Sequence, residues 1–522
     1  MRSSLLLRHT ALVSSAVLAL LACGSDVDDA AAGGAGQGGG SGGGLGASPP
    51  VYGIVDTDQD TCYGTASAMS CADPGESLHG QDAQYDGWQP SYTDNGDGTV
   101  TDDITGLMWQ QDPGAKMAYA AAVAGAATFD LGGYDDWRLP TIKELYSLIL
   151  FSGGDPSGYE GTDDSGLTPF IDDATFVFSY GDTGAGERLI DSQWVTSSIY
   201  EAAVMGAQEC FFGVNFADGR IKCYPTDGNP GGGGYFTIYV RNTTGYGDND
   251  LLDHDDGTVS DQATGLMWQQ EDSGQGMPWE EALGHCEDLS LAGYDDWRLP
   301  NAKELQSLVD YSRSPDTTSS AAIDPLFDVS TITNEGGEAD YPFFWSSSTH
   351  ASFTGGGHSA AYVCFGRCLG TMNGQWMDVH GAGAQRSDPK AGDPADYPEG
   401  HGPQGDAIRI YNHVRCVRGM ATEGTTGTGG TGGGGVGGGG TGGAGAGGSG
   451  AGGEMPGPAP CTEQADCELP GACPDDAALG CSCEPVPDGN ACIPQCTTPA
   501  DCPEPPPGIT FACSGEGLCV PQ

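Results

Sequence analysis

Gly133-Tyr-Asp-Asp-Trp-Arg-Leu-Pro140 returns about 160 residues later as Gly293-Tyr-Asp-Asp-Trp-Arg-Leu-Pro300, letter for letter. Each copy runs into a helix start, Thr141-Ile-Lys-Glu144 in one case and Asn301-Ala-Lys-Glu304 in the other. A second shared phrase lies upstream. Asp97-Gly-Thr-Val-Thr-Asp102 leads to Thr105-Gly-Leu-Met-Trp109, and Asp256-Gly-Thr-Val-Ser-Asp261 leads to Thr264-Gly-Leu-Met-Trp268. Two phrases in the same order, twice, mark an internal duplication. Two long repeats are expected to be two domains, not a solenoid, and each is long enough to bury a core of its own.

The residues around the phrase predict the elements. Asp-Gly before Thr-Val is a turn entering a short strand. Thr-Gly makes the next turn, and Leu-Met-Trp is a buried strand. The first helix of repeat two starts at Met277-Pro278-Trp279-Glu-Glu281, with Pro in the first turn and acids where the helix dipole favours them. Repeat one has Met117-Ala-Tyr119 there, so Tyr119 takes the place of Trp279. Thr141 with Glu144, and Asn301 with Glu304, are spaced for capping boxes that open a second helix. Ile142, Leu145, Leu148 and Ile149 follow at helical spacing, as do Ala302, Leu305, Leu308 and Val309. The later half of each repeat is strand-like. Trp194-Val-Thr-Ser-Ser198, Cys210–Phe216 and Phe236–Arg241 correspond to Phe344-Trp-Ser-Ser-Ser348, Ala361–Phe365 and Ile408–Arg418. Two helices followed by antiparallel strands and long loops make an α+β plan.

The ends read differently. Residues 1–22 have Arg2 and Arg8 before a short apolar stretch, Leu12 to Leu21, that is too short for a confident membrane span. The stretch ends Leu20-Leu21-Ala22-Cys23, which looks like a bacterial lipobox, with lipidation expected on Cys23 and, because Gly24 follows, release to the outer membrane. Residues 23–50 form an acidic, then Gly/Ser-rich tether. Its Gly39-Gly-Ser41-Gly-Gly43 run matches a nucleophile-elbow pattern but has no strand and helix around it, so it carries no chemistry. The repeats occupy 51–241 and 246–420. A Gly-rich linker spans 421–460, and 461–522 holds ten cysteines with little to build a core from, a small disulfide-rich module. Seventy-two acidic against 18 basic residues give a net charge of −54. Such a charge repels nucleic acid, anionic lipid and sulfated polysaccharide. Nineteen cysteines in an exported chain point to disulfides, and Cys62 and Cys71, bracketing a short polar loop, are expected to pair.

The phrases Asp-Asn-Gly-Asp-Gly-Thr-Val-Thr-Asp, Thr-Gly-Leu-Met-Trp, Gly-Tyr-Asp-Asp-Trp-Arg-Leu-Pro-Thr and Val-Arg-Cys-Val-Arg together resemble the Lcl C-terminal domain family over about 51–241 and 246–420. That family is found on exported bacterial proteins and takes its name from the end domain of a collagen-like adhesin that binds glycosaminoglycans. More distantly, Trp-Arg-Leu-Pro-Thr before a helix is similar to the C-type-lectin-like fold, including the formylglycine-generating enzyme group. The resemblances imply two tandem C-type-lectin-like domains plus the disulfide-rich C-terminal module. They also imply a bond between Cys286 and Cys416. Repeat one has Ala126 at the first of those positions and Tyr239 or Asn242 at the second, so both halves of the pair are missing together. Cys210 and Cys223 flank the Asp218-Gly219 turn and are placed to bridge adjacent strands. Cys364 aligns with Cys210, and Cys368 is its expected partner.

Function is less legible. Trp109, Trp137, Trp268 and Trp297 are expected to fill the core, with Arg138 and Arg298 paired to a buried carboxylate or carbonyl. The acidic turns carrying Asp94, Asp97 and Asp102, and Asp253, Asp255 and Asp261, offer the oxygens Ca²⁺ wants, although Asp-Gly hairpin chemistry explains them without metal. No other cofactor is implied. His350, His358, His380, His401 and His413 are scattered. No nucleophile, base and oxyanion group can be placed together, so a non-catalytic reading leads. The expectation is a lipid-anchored outer-membrane or cell-surface protein that contacts neutral polysaccharide, matrix or a surface protein. A purely structural envelope protein and an enzyme of the formylglycine-generating group are the alternatives. The loops that differ between copies, 151–193 against 310–343 and 224–235 against 369–407, are where ligands are expected.

Overall fold

The computed structural model describes residues 52–228, 233–242 and 245–419, and the short segments 481–486, 489–494, 511–513 and 519–521. Cys23, the tether 23–50, the linker 421–460 and most of the Cys-rich module lie outside the described residues. The chain divides into two compact units, residues 1–428 and 429–522. In the second unit, Cys481–Val486 pairs antiparallel with Gly489–Pro494, and Phe511–Cys513 with Cys519–Pro521. The first unit contains both repeats. It is mostly sheet with a few short helices, compatible with the expected α+β plan.

Both repeats build the same small antiparallel sheet. In repeat one its strand order is Tyr92–Asp94, Thr99–Asp102, Met108–Gln110, Val240–Arg241. In repeat two it is Leu251–Asp253, Thr258–Asp261, Leu266–Gln269, Val417–Gly419. The last strand of each repeat thus returns to its beginning. The first hairpin of each turns on two residues in the left-handed region, Gly96 at φ 73° and Gly98 at φ 87° in one copy, Asp255 at φ 56° and Gly257 at φ 89° in the other. Asp tolerates that conformation better than most non-glycine residues, which is why the second copy manages without the first glycine.

Four helices follow the same plan. Helix α1 is Tyr119–Ala126, α2 is Ile142–Tyr146, α3 is Trp279–Glu287 and α4 is Ala302–Ser307. Pro278 caps α3 and does not enter its first turn. Both capping boxes form. The Thr141 hydroxyl accepts from Glu144 N at 3.2 Å while Glu144 Oε2 accepts from Thr141 N at 2.8 Å. Asn301 and Glu304 repeat this at 2.9 Å in both directions. The helices α2 and α4 end sooner than their apolar periodicity suggests, but Leu148, Ile149, Leu308 and Val309 remain buried beyond them.

A six-stranded antiparallel sheet joins the copies. Its order is Phe343–His350, Ser359–Cys364, Gln385–Pro389, Arg220–Pro225, Cys210–Asn215, Gln193–Trp194. Three strands come from each repeat, and the third strand of one meets the third strand of the other, with Ile221 opposite Gln385. Equivalent strands pairing antiparallel place a pseudo-two-fold axis between them. Spacing alone suggests two separate domains. In the structure each copy instead covers the unpaired edge that the other would expose. Each repeat has a core of its own, around Trp137 in one and Trp297 in the other. The largest core draws on both, from Trp109, Leu145 and Phe212 to Trp268, Leu305 and Phe365.

The expected disulfides Cys62–Cys71, Cys210–Cys223, Cys286–Cys416 and Cys364–Cys368 are all present. One alignment needs correction. Cys364 sits opposite Phe343, whereas Gln193, the counterpart of Phe343, faces Asn215. Cys364 therefore corresponds to Asn215 and not to Cys210. In repeat one the position of Cys416 is held by Tyr239, whose phenol donates to Ala122 O of α1 at 2.8 Å. A hydrogen bond there ties the last strand to the first helix where repeat two uses a covalent bond.

Candidate functional site

The repeated octapeptide is absorbed almost residue by residue into the scaffold. Trp137 and Trp297 are buried, as are Trp109 and Trp268. Arg138 donates to both carboxylate oxygens of Glu144 at 2.7 and 2.5 Å, and Arg298 to those of Glu304 at 2.6 Å each. A bidentate pair of this kind fixes the helix start while the same carboxylate serves the capping box. Asp136 accepts from Arg241 at 2.7 and 3.1 Å, and Asp296 from Arg418 at 2.6 and 2.9 Å. Those two arginines lie on the returning strands and stack at 3.8 Å over Tyr134 and Tyr294 of the same phrase. The octapeptide thus clamps core, second helix and last strand together.

The lysine after the octapeptide does something its own repeat does not need. Lys143 donates to Ser307 O at 2.7 Å, beyond the repeat boundary, and to Gly247 O and Asn249 Oδ1 at 2.9 and 3.0 Å. Lys303 donates to Ser147 O at 2.9 Å and to Asp56 O at 2.7 Å. Ser147 and Ser307 are equivalent positions at the ends of α2 and α4. Each lysine therefore satisfies the carbonyl end of the other repeat's helix, where the helix dipole also favours a cation. Burial pushes Lys143 down to about 8 and Lys303 down to about 7.

The acidic turns are not brought together as a metal site. Asp94 accepts from Gly96 N, and Asp253 from Asp255 N, both at 2.8 Å. Asp97 accepts from the backbone N and hydroxyl of Thr99 at 3.1 and 2.6 Å. Asp102 accepts from Ile104 N and Thr105 N at 3.0 and 3.1 Å. Asp261 accepts from Asp250 N at 2.9 Å, Ala263 N at 3.1 Å and Asn249 Nδ2 at 2.8 Å. The carboxylates hold their own turns, and Asp102 and Asp261 also face Lys303 and Lys143 of the opposite repeat. Among the described residues no group of three or more His, Cys, Asp or Glu is arranged to hold a metal ion.

Two open regions stand out among the described residues. A cleft of about 550 Å³ lies where the loops 310–343 and 369–407 of repeat two meet Ala203 and Gly206 of repeat one. The other variable loops, 151–193 and 224–235, do not line it. Half-buried Trp376 is on its wall with Asp316, Glu335, Glu338, Arg367 and Asp378. Arg367 is committed to Asp316, with its closest contact at 2.6 Å, and Glu335 pairs with Arg409 at 2.9 Å. The cleft thus offers an aromatic face among hydrogen-bonding groups and an excess of carboxylates, which disfavours anionic ligands. Nothing in the sequence singles out Trp376, which lies on the strand Gln375–Asp378 paired with Leu369–Met372, since only tertiary packing leaves its ring half-buried at the cleft.

Asp378 closes the floor of this cleft. It accepts from Tyr200 of repeat one at 2.8 Å and from Gly381 N at 2.8 Å, and burial pushes its carboxyl up to about 7. The folded chain therefore binds this proton between about pH 4 and 7 while the unfolded chain releases it, so the group's contribution to stability falls as pH rises through that window. Asp378→Asn removes the titration. Its stability relative to the natural chain is expected to improve by about 4 kcal/mol from pH 4 to pH 8. Urea melts across that range read it, and a difference that stays constant with pH would refute the assignment.

The second open region is a groove of about 600 Å³ on repeat one, between α1 and the start of α2. It continues past Tyr246 and Asp248 into a cleft of about 620 Å³ at the junction of the repeats.

The family model for the Lcl C-terminal domain matches residues 98–241 and 257–379, more than half of the chain. The family is one of surface-associated proteins. No curated protein and no solved structure matches the chain. Each matched segment contains the two helices and the octapeptide of one copy, and the chain belongs to the Lcl C-terminal domain family, with the domain carried in tandem.

Proposed function

We propose that this is a non-catalytic, lipid-anchored protein of the outer membrane or cell surface, whose paired C-type-lectin-like repeats bind extracellular glycan or protein ligands. The observation that carries the reading is the open cleft at Trp376, built mainly from loops of repeat two that differ from their counterparts in repeat one. Sugar rings present apolar faces to aromatic side chains and hydroxyls to carboxylates and amides, and this wall supplies both. Its acidic balance, like the net charge of −54, favours a neutral polysaccharide over a sulfated one. No residue of the octapeptide lines this cleft; its Trp sits in the core, and its Arg and second Asp are held in ion pairs with Glu144 and Arg241. The lipid anchor on Cys23 would hold the repeats at the membrane through a tether whose r.m.s. reach is roughly 25–30 Å.

The test is a glycan array probed with residues 24–522, with and without Ca²⁺. Binding to neutral polysaccharides is expected, and Trp376→Ala is expected to weaken it at least tenfold, about 1.4 kcal/mol. No glycan bound under either condition would remove the lectin reading and leave a structural envelope role.

A further inference from the structure

The groove on repeat one has a twin on repeat two, and the twin is full. Residues 77–85, which precede the first repeated phrase, lie across it. Leu78 packs against the core cluster that holds Trp279, Leu283 and Cys286 of α3. The Tyr85 ring lies 5.3 Å from the Arg298 guanidinium, and its phenol donates to Glu287 at 2.5 Å. The Asp82 carboxylate is hydrogen-bonded to the Ser348 hydroxyl, which in turn accepts from Ala302 N at the start of α4. Under this cover Trp279, Leu283, Leu299, Asn301 and Ser347 are all buried.

Repeat one keeps the receptor side of this arrangement and lacks the occupant. Arg138, Leu139, Thr141 and Ser197 stand at the equivalent positions along the groove. Ser198 accepts from Ile142 N at 3.0 Å as Ser348 does from Ala302 N. Yet Thr141 and Ser197 are exposed, Val123 is 48% exposed, and the Arg138 side chain is 35% exposed with no ring over it among the described residues. Tyr119, Val123 and Ala126 replace Trp279, Leu283 and Cys286, so each apolar position is smaller and the groove deeper. Ala120 and Ala127 replace Glu280 and Glu287, so the acidic clamps on the segment are absent.

We propose that the groove of repeat one docks an extended peptide segment of a protein partner. An apolar anchor larger than leucine would lie over Val123 and Ala126, a carboxylate would meet Ser198, and an aromatic ring three residues further on would stack on Arg138. The chain's own residues 78–85 show the pattern, with apolar Leu78, Asp82 and Tyr85 in that order. This deepens the recognition reading by naming a peptide as one ligand class, at a site separate from the Trp376 cleft. The chain's own residues 77–85 are already spent on repeat two, so the peptide is sought on a protein partner.

Fluorescence anisotropy tests it, with a labelled peptide of residues 76–86 and its Leu78→Phe version titrated against residues 24–522. Saturable binding is expected, at least threefold tighter for the Leu78→Phe peptide. Val123→Glu, on the exposed face of α1, is expected to weaken it at least tenfold. Val123→Trp, which fills the groove without charging it, is expected to do the same. Trp376→Ala is expected to leave peptide binding unchanged, so failure of the glycan reading and failure of this one are read separately. Absence of saturable binding, no advantage for the larger anchor, binding that either Val123 variant leaves intact, or loss of binding in Trp376→Ala would overturn the proposal.

Discussion

Lys303→Ala lowers the unfolding free energy by about 3 kcal/mol, and the loss is felt in both repeats. The substitution strands two buried carbonyls, Asp56 O and Ser147 O, which Lys303 now satisfies. A buried acceptor left without a donor costs about 1–3 kcal/mol, and the emptied lysine stem adds a cavity. Relief from burying a cation offsets part of this. Burial holds the ammonium down to about 7, so between pH 7 and about 10.4 the unfolded chain binds the proton and the folded chain does not. Stability contributed at this position therefore rises with pH through that window. The gap between the natural chain and Lys303→Ala should widen from pH 7 to pH 10 in urea melts. A gap that narrows would contradict the assignment.

The second large effect is covalent. Cys286 and Cys416 are separated by 130 residues, so their bond closes most of repeat two into one loop. Chain entropy alone assigns such a crosslink about 5 kcal/mol, against about 2 kcal/mol for a loop as short as that of Cys364 and Cys368. The double substitution Cys286→Ala, Cys416→Ala is expected to cost several kcal/mol in urea melts, and Cys364→Ala, Cys368→Ala distinctly less. Equal losses would show that loop length does not govern these bonds. Repeat one, held at the same place by the Tyr239 phenol, has no covalent counterpart.

Much of the local structure was legible in the sequence because local chemistry dictates it. Asp-Gly turns, Thr141 and Asn301 capping boxes and the buried Trp of each phrase depend on neighbours a few residues away, and each formed. The disulfides followed from spacing and from a family pattern. What was not legible is what crosses between copies. Nothing in the sequence marks the roles of Lys143 and Lys303, because their partners lie in the other repeat. The shared sheet depends on an edge pairing between Ile221 and Gln385 that no periodicity announces. The Cys364 alignment failed for a related reason, since strand register and not cysteine identity decides equivalence.

The candidate sites divide in the same way. Loops that differ between the copies pointed to the region of the Trp376 cleft, because a duplicated scaffold leaves variation where the scaffold is not needed. The acidic turns pointed elsewhere, since a carboxylate that caps its own turn looks in sequence like one free to bind a cation. The peptide groove was invisible. It exists as an open site only because residues 77–85 fold back on one copy and not the other, and that choice is made by tertiary contacts with Glu287 and Ser348.

The repeated phrase builds one body from two copies, and hydrogen exchange on Lys303→Ala tests this most directly. Lys303 belongs to repeat two, but one of its acceptors, Ser147, ends a helix of repeat one. If the copies form one cooperative unit, amide protection falls by a similar factor in Cys210–Asn215 of repeat one and in Ser359–Cys364 of repeat two. A loss confined to repeat two, with the repeat-one strand as protected as before, would contradict it.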